Sequence, residues 1–557
     1  MKKLFFHLFC ASLLLIWGCS SSTNPQPLTV KTSISTSDSA QIPAAIDPVN
    51  TIALQFSEPL DMKTVEGKVS LYTVKAGGLP VSSDPPVEIV SDPQQPSQLV
   101  IKTKNSANLP SGEGYKLVVS RGIQSVNGNT LAADFVRYFA TDYNFGQGAD
   151  SIPEIGNNRV IIVVISDMHL GDARSINEKY GWFNKNTSRL VGFINLLRKK
   201  PNVKELVIAG DMFDEWVAPM TSDTFSGASQ SGFVDMIVAA NKPVIDAINN
   251  IIKDGNITVT YVSGNHDMLV ESTDIQRVFP GISQTSDVPG LGAYAPLDRP
   301  EIIIEHGHRY DFFNAPDPIS NRSITKTNSI ISPGFFVSKI AATSDMERGK
   351  STFFRQELTD ALENRGDNYY LSYWAAWNLI MSQKPVKASW NDKLIKTGID
   401  GYTESYAIND LIPYHPENNA PLDVNLYKGI LDTWYTRQAS NKVPVPILPE
   451  VAIAAGAFNP ALDAQSIIQY FANRSSNKRI VVFGHTHDAG IFTILNHQLR
   501  GAIYANSGTW VDNGDPSCTF VAIIPQGDNG ASTDTVMVYQ YVDDQNIKKI
   551  RSAAITN

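Results

Sequence analysis

Five short clusters of metal-ligand residue types are spread along the second part of this 557-residue chain. They are Asp167-Met168-His169, Gly210-Asp211-Met212-Phe213-Asp214, Gly264-Asn265-His266-Asp267, His306-Gly307-His308 and Gly484-His485-Thr486-His487. Carboxylate, amide and imidazole side chains are the donors that hold transition-metal ions. One Asp-x-His or one exposed histidine means little by itself. Here six of only nine histidines fall inside the clusters, a distribution that random scatter does not give.

Each cluster follows an apolar run that reads as a strand: Val160 to Ile165, Leu206 to Ala209, Ile257 to Val262, Ile302 to Ile304 and Arg479 to Phe483. Runs that are apolar throughout, without alternation, predict strands buried on both faces. Between them Leu190, Phe193, Ile194 and Leu197 repeat at helical spacing, and Phe233 to Ile252 reads as one helix. Further strands are expected at 491–495, 502–504, 520–524 and 536–541. Strands alternating with amphipathic helices predict a layered α/β core, and ligand sites in such cores gather at the carboxyl ends of strands. Distant clusters can thus converge on one site, with glycine at 210, 264, 307 and 484 letting the backbone turn tightly beneath them.

The ordered series Asp-x-His, Gly-Asp-x-x-Asp, Gly-Asn-His-Asp, His, Gly-His-x-His resembles the calcineurin-like metallophosphoesterase superfamily, over residues 160 to about 525. The resemblance implies a layered β-sandwich flanked by helices and two divalent metal ions. Asp167, His169 and His487 would hold one ion, Asn265, His306 and His485 the other, and Asp211 would bridge both. This donor mixture suits Mn, Fe or Zn, and a bridging carboxylate helps keep two dications about 3.5–4 Å apart. A bridging water that has become hydroxide would attack phosphorus in line, hydrolysing a phosphate mono-, di- or pyrophosphate ester. By the same resemblance His266 has no metal duty and would stabilise or protonate the leaving oxygen. Asp214 would orient the His266 ring and raise its basicity. Asp267 is expected to brace its loop, as are Asp172 and Asp311. His308 is expected beside the ligands rather than among them, and the small residues of Asn506-Ser507-Gly508-Thr509 to allow close packing.

Within the superfamily, the stretch Gly210 to Trp216 is similar to the UDP-2,3-diacylglucosamine hydrolase branch. That branch acts in the cytoplasm on a lipid precursor, so its substrate is not carried over. Residues 312–475, between His306 and the last cluster, are too long for a loop. Helical-looking stretches at Phe353 to Glu363 and Tyr369 to Met381 predict a largely helical insertion, the cap that the resemblance implies. Its aromatics Tyr369, Tyr370, Tyr373, Trp374, Trp377, Trp390, Trp434 and Tyr435 either line a pocket over the metals or form the insertion's own core.

The first 158 residues have another texture. Lys2 and Lys3 precede an apolar run, Leu4 to Ile16, of signal-peptide length and short for a membrane span. Ile16-Trp17-Gly18-Cys19 resembles a bacterial lipobox, which implies a signal peptide over 1–18 and lipid attachment at Cys19; the alternative is a secreted protein with Cys19 inert. Only Cys518 then remains of the three cysteines, so no disulfide framework is expected. Residues 19–43, rich in Ser, Thr and Pro, read as a flexible tether. From 44 to 142 short alternating runs (Thr51 to Phe56, Gln98 to Lys102, Tyr115 to Val119, Phe135 to Phe139) predict an all-β sandwich. Phe56-Ser57-Glu58-Pro59-Leu60-Asp61 and Gly128-Asn129-Thr130-Leu131 resemble the bacterial Ig-like domain of S-layer proteins. Residues 143–158 read as a linker, and 159–557 as the metallophosphoesterase domain with its insertion.

The net charge of −9 and pI near 5.5 argue against a polyanion-binding surface, so no specific nucleic-acid partner is expected. The expected partners are a phosphorylated small molecule or lipid-linked substrate, and a membrane reached through the N-terminal anchor. The expected place is the bacterial cell envelope, facing periplasm or cell surface. The competing function is a surface-binding lipoprotein whose metal site is vestigial.

Overall fold

The structure is a computed structural model that describes residues 27–34, 44–46, 49–74, 85, 87–92, 94–104, 106–109, 114–141, 152, 158–325, 329–347, 368–414, 422–526, 533–543 and 546–555. The signal segment, Cys19 and the stretch Phe353 to Glu363 lie outside the described residues.

Among the described residues eight strands build the first unit: β1 (Val30–Thr32), β2 (Ala44–Ile46), β3 (Thr51–Phe56), β4 (Val69–Val74), β5 (Val87–Ser91), β6 (Gln98–Thr103), β7 (Gly114–Val119) and β8 (Phe135–Thr141). They form two four-stranded sheets, in the orders β1-β3-β6-β5 and β2-β8-β7-β4. Alternate residues Ile52, Leu54 and Phe56 of β3 point inward, where they meet Leu99, Leu117 and Phe139 in one core. The sheet begins earlier than the composition suggests. Val30 to Thr32 pair with Phe56 to Leu54, and Leu28 and Val30 are buried, so part of the 19–43 stretch read as tether is strand. Two apolar residues at alternate positions are enough to add an edge strand, and they are easily lost among serines and threonines.

The second unit holds the five clusters. Strands β9 (Ile161–Ile165), β10 (Val203–Ala209), β11 (Thr258–Val262), β12 (Ser283–Thr285), β13 (Ala293–Tyr294), β14 (Ile302–Glu305), β15 (Ile480–Phe483), β16 (Gly490–Leu495), β17 (Gly501–Asn506), β18 (Thr519–Ile524), β19 (Asp534–Asp543) and β20 (Asn546–Ile555) form two sheets. One has the order β12-β11-β10-β9-β18-β19-β20, the other β13-β14-β15-β17-β16. The strands that carry the clusters run parallel to their neighbours, β9 with β10, β10 with β11, and β14 with β15. The apolar runs divide by parity. Ile162, Val164, Val207 and Ala209 join Ile304, Val482 and Ile503 between the sheets, whereas Ile161, Val163, Ile165, Leu206 and Ile208 pack under the helices. That is why these runs show no alternation: both faces of each strand are covered.

Two readings need correction here. The predicted single helix over 233–252 is two, Gln230–Ala240 and Lys242–Asp254. Asn241, at φ −115° and ψ 25°, breaks it, and Pro243 at the start of the second helix cannot supply the hydrogen bond that would continue the first. The 143–158 linker is not wholly outside the fold, since Ile152 is buried in the second unit's core.

In the insertion, helices Pro333–Met346, Asn368–Ser382, Trp434–Ser440 and Pro449–Ala457 alternate with a turn-rich stretch. Tyr373, Trp374, Trp377, Trp390 and Trp434 are buried in the core that also holds the helices of the sandwich. Phe312 meets Tyr373 edge-on and Trp434 at a tilt, tying the start of the insertion after β14 to its later helices. These aromatics form the insertion's core rather than a pocket wall, and Tyr435 is exposed. Among the described residues no helix is long and apolar enough to cross a membrane.

Candidate metal centre

All five clusters meet at the carboxyl ends of β9, β10, β11, β14 and β15, and the backbone there is unusually constrained. Asp167, His169, Asp211, His485 and His487 have φ between 50° and 68°, so five of the seven expected ligands adopt a left-handed conformation that side chains other than glycine rarely take. Such residues cost on the order of 1–3 kcal/mol each and persist only where the surroundings dictate them. The surroundings here are loop-to-loop hydrogen bonds: Met168 and His169 N–H donate to the Asp211 carbonyl at 2.9 Å, Asp214 N–H to Leu170, and Trp510 N–H to Asp167. The glycines serve two ends. Gly210 needs its φ of 89°. Gly264 instead gives room, because a Cβ there would run into the carboxylate and backbone nitrogen of Asp211.

The side chains converge in two groups that share one carboxylate. His169 Nε2 lies 3.1 Å from His487 Nε2, and Asp167 Oδ1 lies 3.1 Å from the same His487 nitrogen. His306 Nε2 lies 3.1 Å from Asn265 Oδ1, with His485 in the same group. Asp211 Oδ2 stands 3.5 Å from His169 Nε2 and 3.2 Å from His306 Nε2, between the two. Imidazole nitrogens facing each other at 3.1 Å, with the buried Asp167 Oδ1 crowded against one of them, are what a cation would resolve, so the residues fit divalent ions.

The atoms turned away from the centre are held as well. His306 Nδ1 donates to the Ala209 carbonyl at 2.8 Å, which leaves Nε2 as the bare nitrogen. His485 Nε2 pairs with Asp311 Oδ2 at 2.9 Å. Asp214 takes two rings, His266 Nδ1 at 3.0 Å and His169 Nδ1 at 3.3 Å, and accepts from the backbone of Trp216 and Val217. Asp267 accepts from Gly264 N and Met212 N, tying the third cluster to the second. Asp167 Oδ2 accepts from Ser166 Oγ and His485 N.

Electrostatics follow from four buried carboxylates among buried imidazoles. Burial pushes His169 down, but hydrogen bonds to Asp167 and Asp214 outweigh it and raise the ring to about 10. Burial likewise opposes His306, which the charges of Asp211 and Asp167 raise to about 9. Burial pushes Asp167, Asp211 and Asp214 up, yet the imidazoles around them hold all three well below the usual carboxylate range. Asp267 goes the other way, to about 6, through burial and the charge of Asp211.

The neighbours sort as well. His308 is buried, pairs with the Gly290 carbonyl at 3.0 Å, and is pushed well below the ordinary histidine value by burial and by His306, so it stands beside the ligands as a neutral ring. Asp172 caps the short helix Ala173–Asn177. Asp311 braces its loop through Phe313 N and also grips His485, a second duty that its sequence position does not reveal. Thr509 Oγ1 donates to the Asp167 carbonyl, and Ser507 Oγ lies 2.6 Å from Ser166 Oγ, so this strand end holds the first cluster from behind.

One residue carried no sequence signal. Trp182, in a loop without a motif, places its ring 4.8 Å from His169, 5.3 Å from His266 and 6.0 Å from His487. With His266, Asn265 and His487 it lines a cavity of about 310 Å³ above the clusters. The insertion supplies other walls of this cavity through Phe313, Val337, Gly456 and Leu462.

Comparison with known proteins agrees with this architecture. Residues 161–371 match the family model of the calcineurin-like phosphoesterases, and residues 22–145 match that of the bacterial Ig-like domain. The chain therefore carries a calcineurin-like phosphoesterase domain behind a bacterial Ig-like domain, a module that points to an extracellular or surface setting. No curated protein matches the chain. Solved structures with local similarity include Escherichia coli alpha-2-macroglobulin, at 16% identity and TM-score 0.15, covering 27% of this chain and 7% of that one. The N-terminal part of the bacterial S-layer protein SbsC is 14% identical at TM-score 0.14, covering 24% and 29%. Chitinase ChiW from Paenibacillus is 9% identical at TM-score 0.18, covering 48% and 30%. The chain spans well under half the length of each, and scores this low establish no common overall fold.

Proposed function

We propose that this protein is an extracytoplasmic, dinuclear metal-dependent phosphoesterase, held to the bacterial envelope by lipid on Cys19 and displayed beyond its Ig-like domain. The observation that carries the reading is Asp211, a single buried carboxylate within 3.5 Å of His169 on one side and 3.2 Å of His306 on the other. Asp167, His169 and His487 would hold one divalent ion, Asn265, His306 and His485 the second, and Asp211 both. Bound there, Mn, Fe or Zn ions supply activation of water and neutralisation of charge on the phosphoryl group.

The chain's own residues do the rest. Asp214 accepts a hydrogen bond from His266 Nδ1–H, which turns Nε2 of that ring toward the leaving oxygen as the proton-bearing atom. Trp216, stacked on His266 at 4.8 Å, keeps the ring in that plane. His306 and His485 present fixed nitrogens because Ala209 and Asp311 occupy the others. The cavity then receives a phosphate monoester, diester or pyrophosphate, on a small molecule or a lipid-linked one. Trp216 also supports the likeness to the UDP-2,3-diacylglucosamine hydrolase branch, in chemistry but not in substrate.

Metal analysis of the purified full chain, beside turnover of 4-nitrophenyl phosphate and bis(4-nitrophenyl) phosphate in Mn, Fe or Zn, tests the class. Two ions per chain and metal-dependent turnover are expected. A chain that binds no metal and cleaves neither ester would leave the surface-binding lipoprotein reading in its place. Fractionation of Cys19→Ser tests the anchor; persistence of the processed variant in membranes would refute it.

A further inference from the structure

Trp182 is held from two directions. One part of its ring faces the histidine group, 4.8 Å from His169 and 5.3 Å from His266. Another packs on Tyr180, Val217 and Ala342, and Ala342 belongs to the insertion helix Pro333–Met346. The side chain is half-buried, so part of its surface stays open to the cavity it lines. Val337 and Ser338 of that helix line the same cavity, together with Phe313 and Leu462. An indole fixed on one side by an insertion helix and open on another to a metal centre has a defined position and a free apolar surface. Aromatic surfaces of this kind add about 0.5–1.5 kcal/mol when a second ring meets them, beyond area burial.

We propose that Trp182 is the residue that selects the leaving group, and that the substrate is a phosphate ester whose leaving alcohol carries a planar or apolar face. The inference rests on the phosphoesterase reading and on His266 serving the leaving oxygen. Because the Trp182 ring stands next to His266, a leaving group whose oxygen meets His266 Nε2 lies against the indole. Phe313, Val337 and Leu462 supply further apolar wall, while Asn314, Ser338 and Asn459 offer uncharged hydrogen-bonding groups. A compact aromatic or alicyclic alcohol is matched by this lining.

The test compares the full-length wild type with Trp182→Leu, which keeps apolar bulk against Tyr180 and Ala342, and Trp182→Phe, which keeps a ring. The probes are phenyl and ethyl phosphate, with the phenyl and ethyl esters of methyl phosphate as the diester pair. For Trp182→Leu, the ratio of kcat/KM for phenyl over ethyl ester should fall about two- to tenfold, carried by KM, with Trp182→Phe recovering most of it. Calorimetric binding of phenylphosphonate against ethylphosphonate should show the same ratio, and metal content should stay at two ions per chain. Equal losses on phenyl and ethyl probes, or no loss on either, would overturn the inference while leaving the phosphoesterase reading intact. A wild type that turns over none of the four esters ends the phosphoesterase reading, and this inference with it.

Discussion

Replacing His266 by Asn separates leaving-group chemistry from metal binding, because what the ring does and what the backbone does at this position are distinct. The backbone N–H of His266 donates to Asp211 Oδ1 at 2.8 Å and survives the substitution. Asp214, losing the ring at 3.0 Å, still accepts from Trp216 N and Val217 N and still faces His169, so no buried carboxylate is orphaned. Two ions should therefore remain bound. What disappears is the proton donor, worth about 10²–10⁴-fold, or roughly 2.7–5.5 kcal/mol of transition-state stabilisation. The loss should be large for an ethyl ester and small for a 4-nitrophenyl ester, whose leaving oxygen needs no proton. The assay is metal stoichiometry by mass spectrometry beside kcat/KM on both esters, with Asp211→Asn as the reference that should lose both metal and turnover. His266 also lies close enough to His169 and Asp211 to be a ligand itself. If His266→Asn sheds metal as severely as Asp211→Asn, or keeps full activity on the ethyl ester, the assignment of roles is wrong.

Three further outcomes are expected. Asp311→Asn weakens the carboxylate partner of His485, and removal of such outer partners typically lowers metal affinity 10–100-fold, so chelator titration should show one ion released earlier than in the wild type. Gly264→Ala should lose metal and turnover together, since the added methyl meets Asp211; unchanged metal content would show that the loop can give way. In chelator-stripped protein, His169 and His306 titrate near 10 and 9, above the ordinary 6.5. Groups raised in this way contribute stability that is fully present below about pH 6.5 and is lost as pH climbs through 9–10. The melting temperature of stripped protein should thus fall between pH 7 and 10 more steeply than that of the metal-loaded protein. Parallel curves would contradict it.

The sequence by itself determined the strands and the chemistry at their ends. Apolar runs such as Ile161 to Ile165 are strands because a segment with no polar face must be covered on both sides, and a sandwich flanked by helices does that. Once those strands were parallel neighbours, Asp167, Asp211, Asn265, His306 and His485 had to emerge on one edge. Local signals also had limits. Asn241 and Pro243 divide a helix that periodicity alone joins, and β1 hides in a polar stretch because pairing with β3, not composition, makes it a strand. Tertiary structure alone decided which atoms face the ions and which face away. Only contacts across the chain fix the ring of His306 through Ala209, that of His485 through Asp311, and those of His169 and His266 through one Asp214. It also decided that the insertion's tryptophans fill its core while Trp182, with no motif around it, reaches the cavity. Side-chain direction and loop-to-loop distance depend on packing between segments far apart in sequence, and no spacing along the chain encodes them.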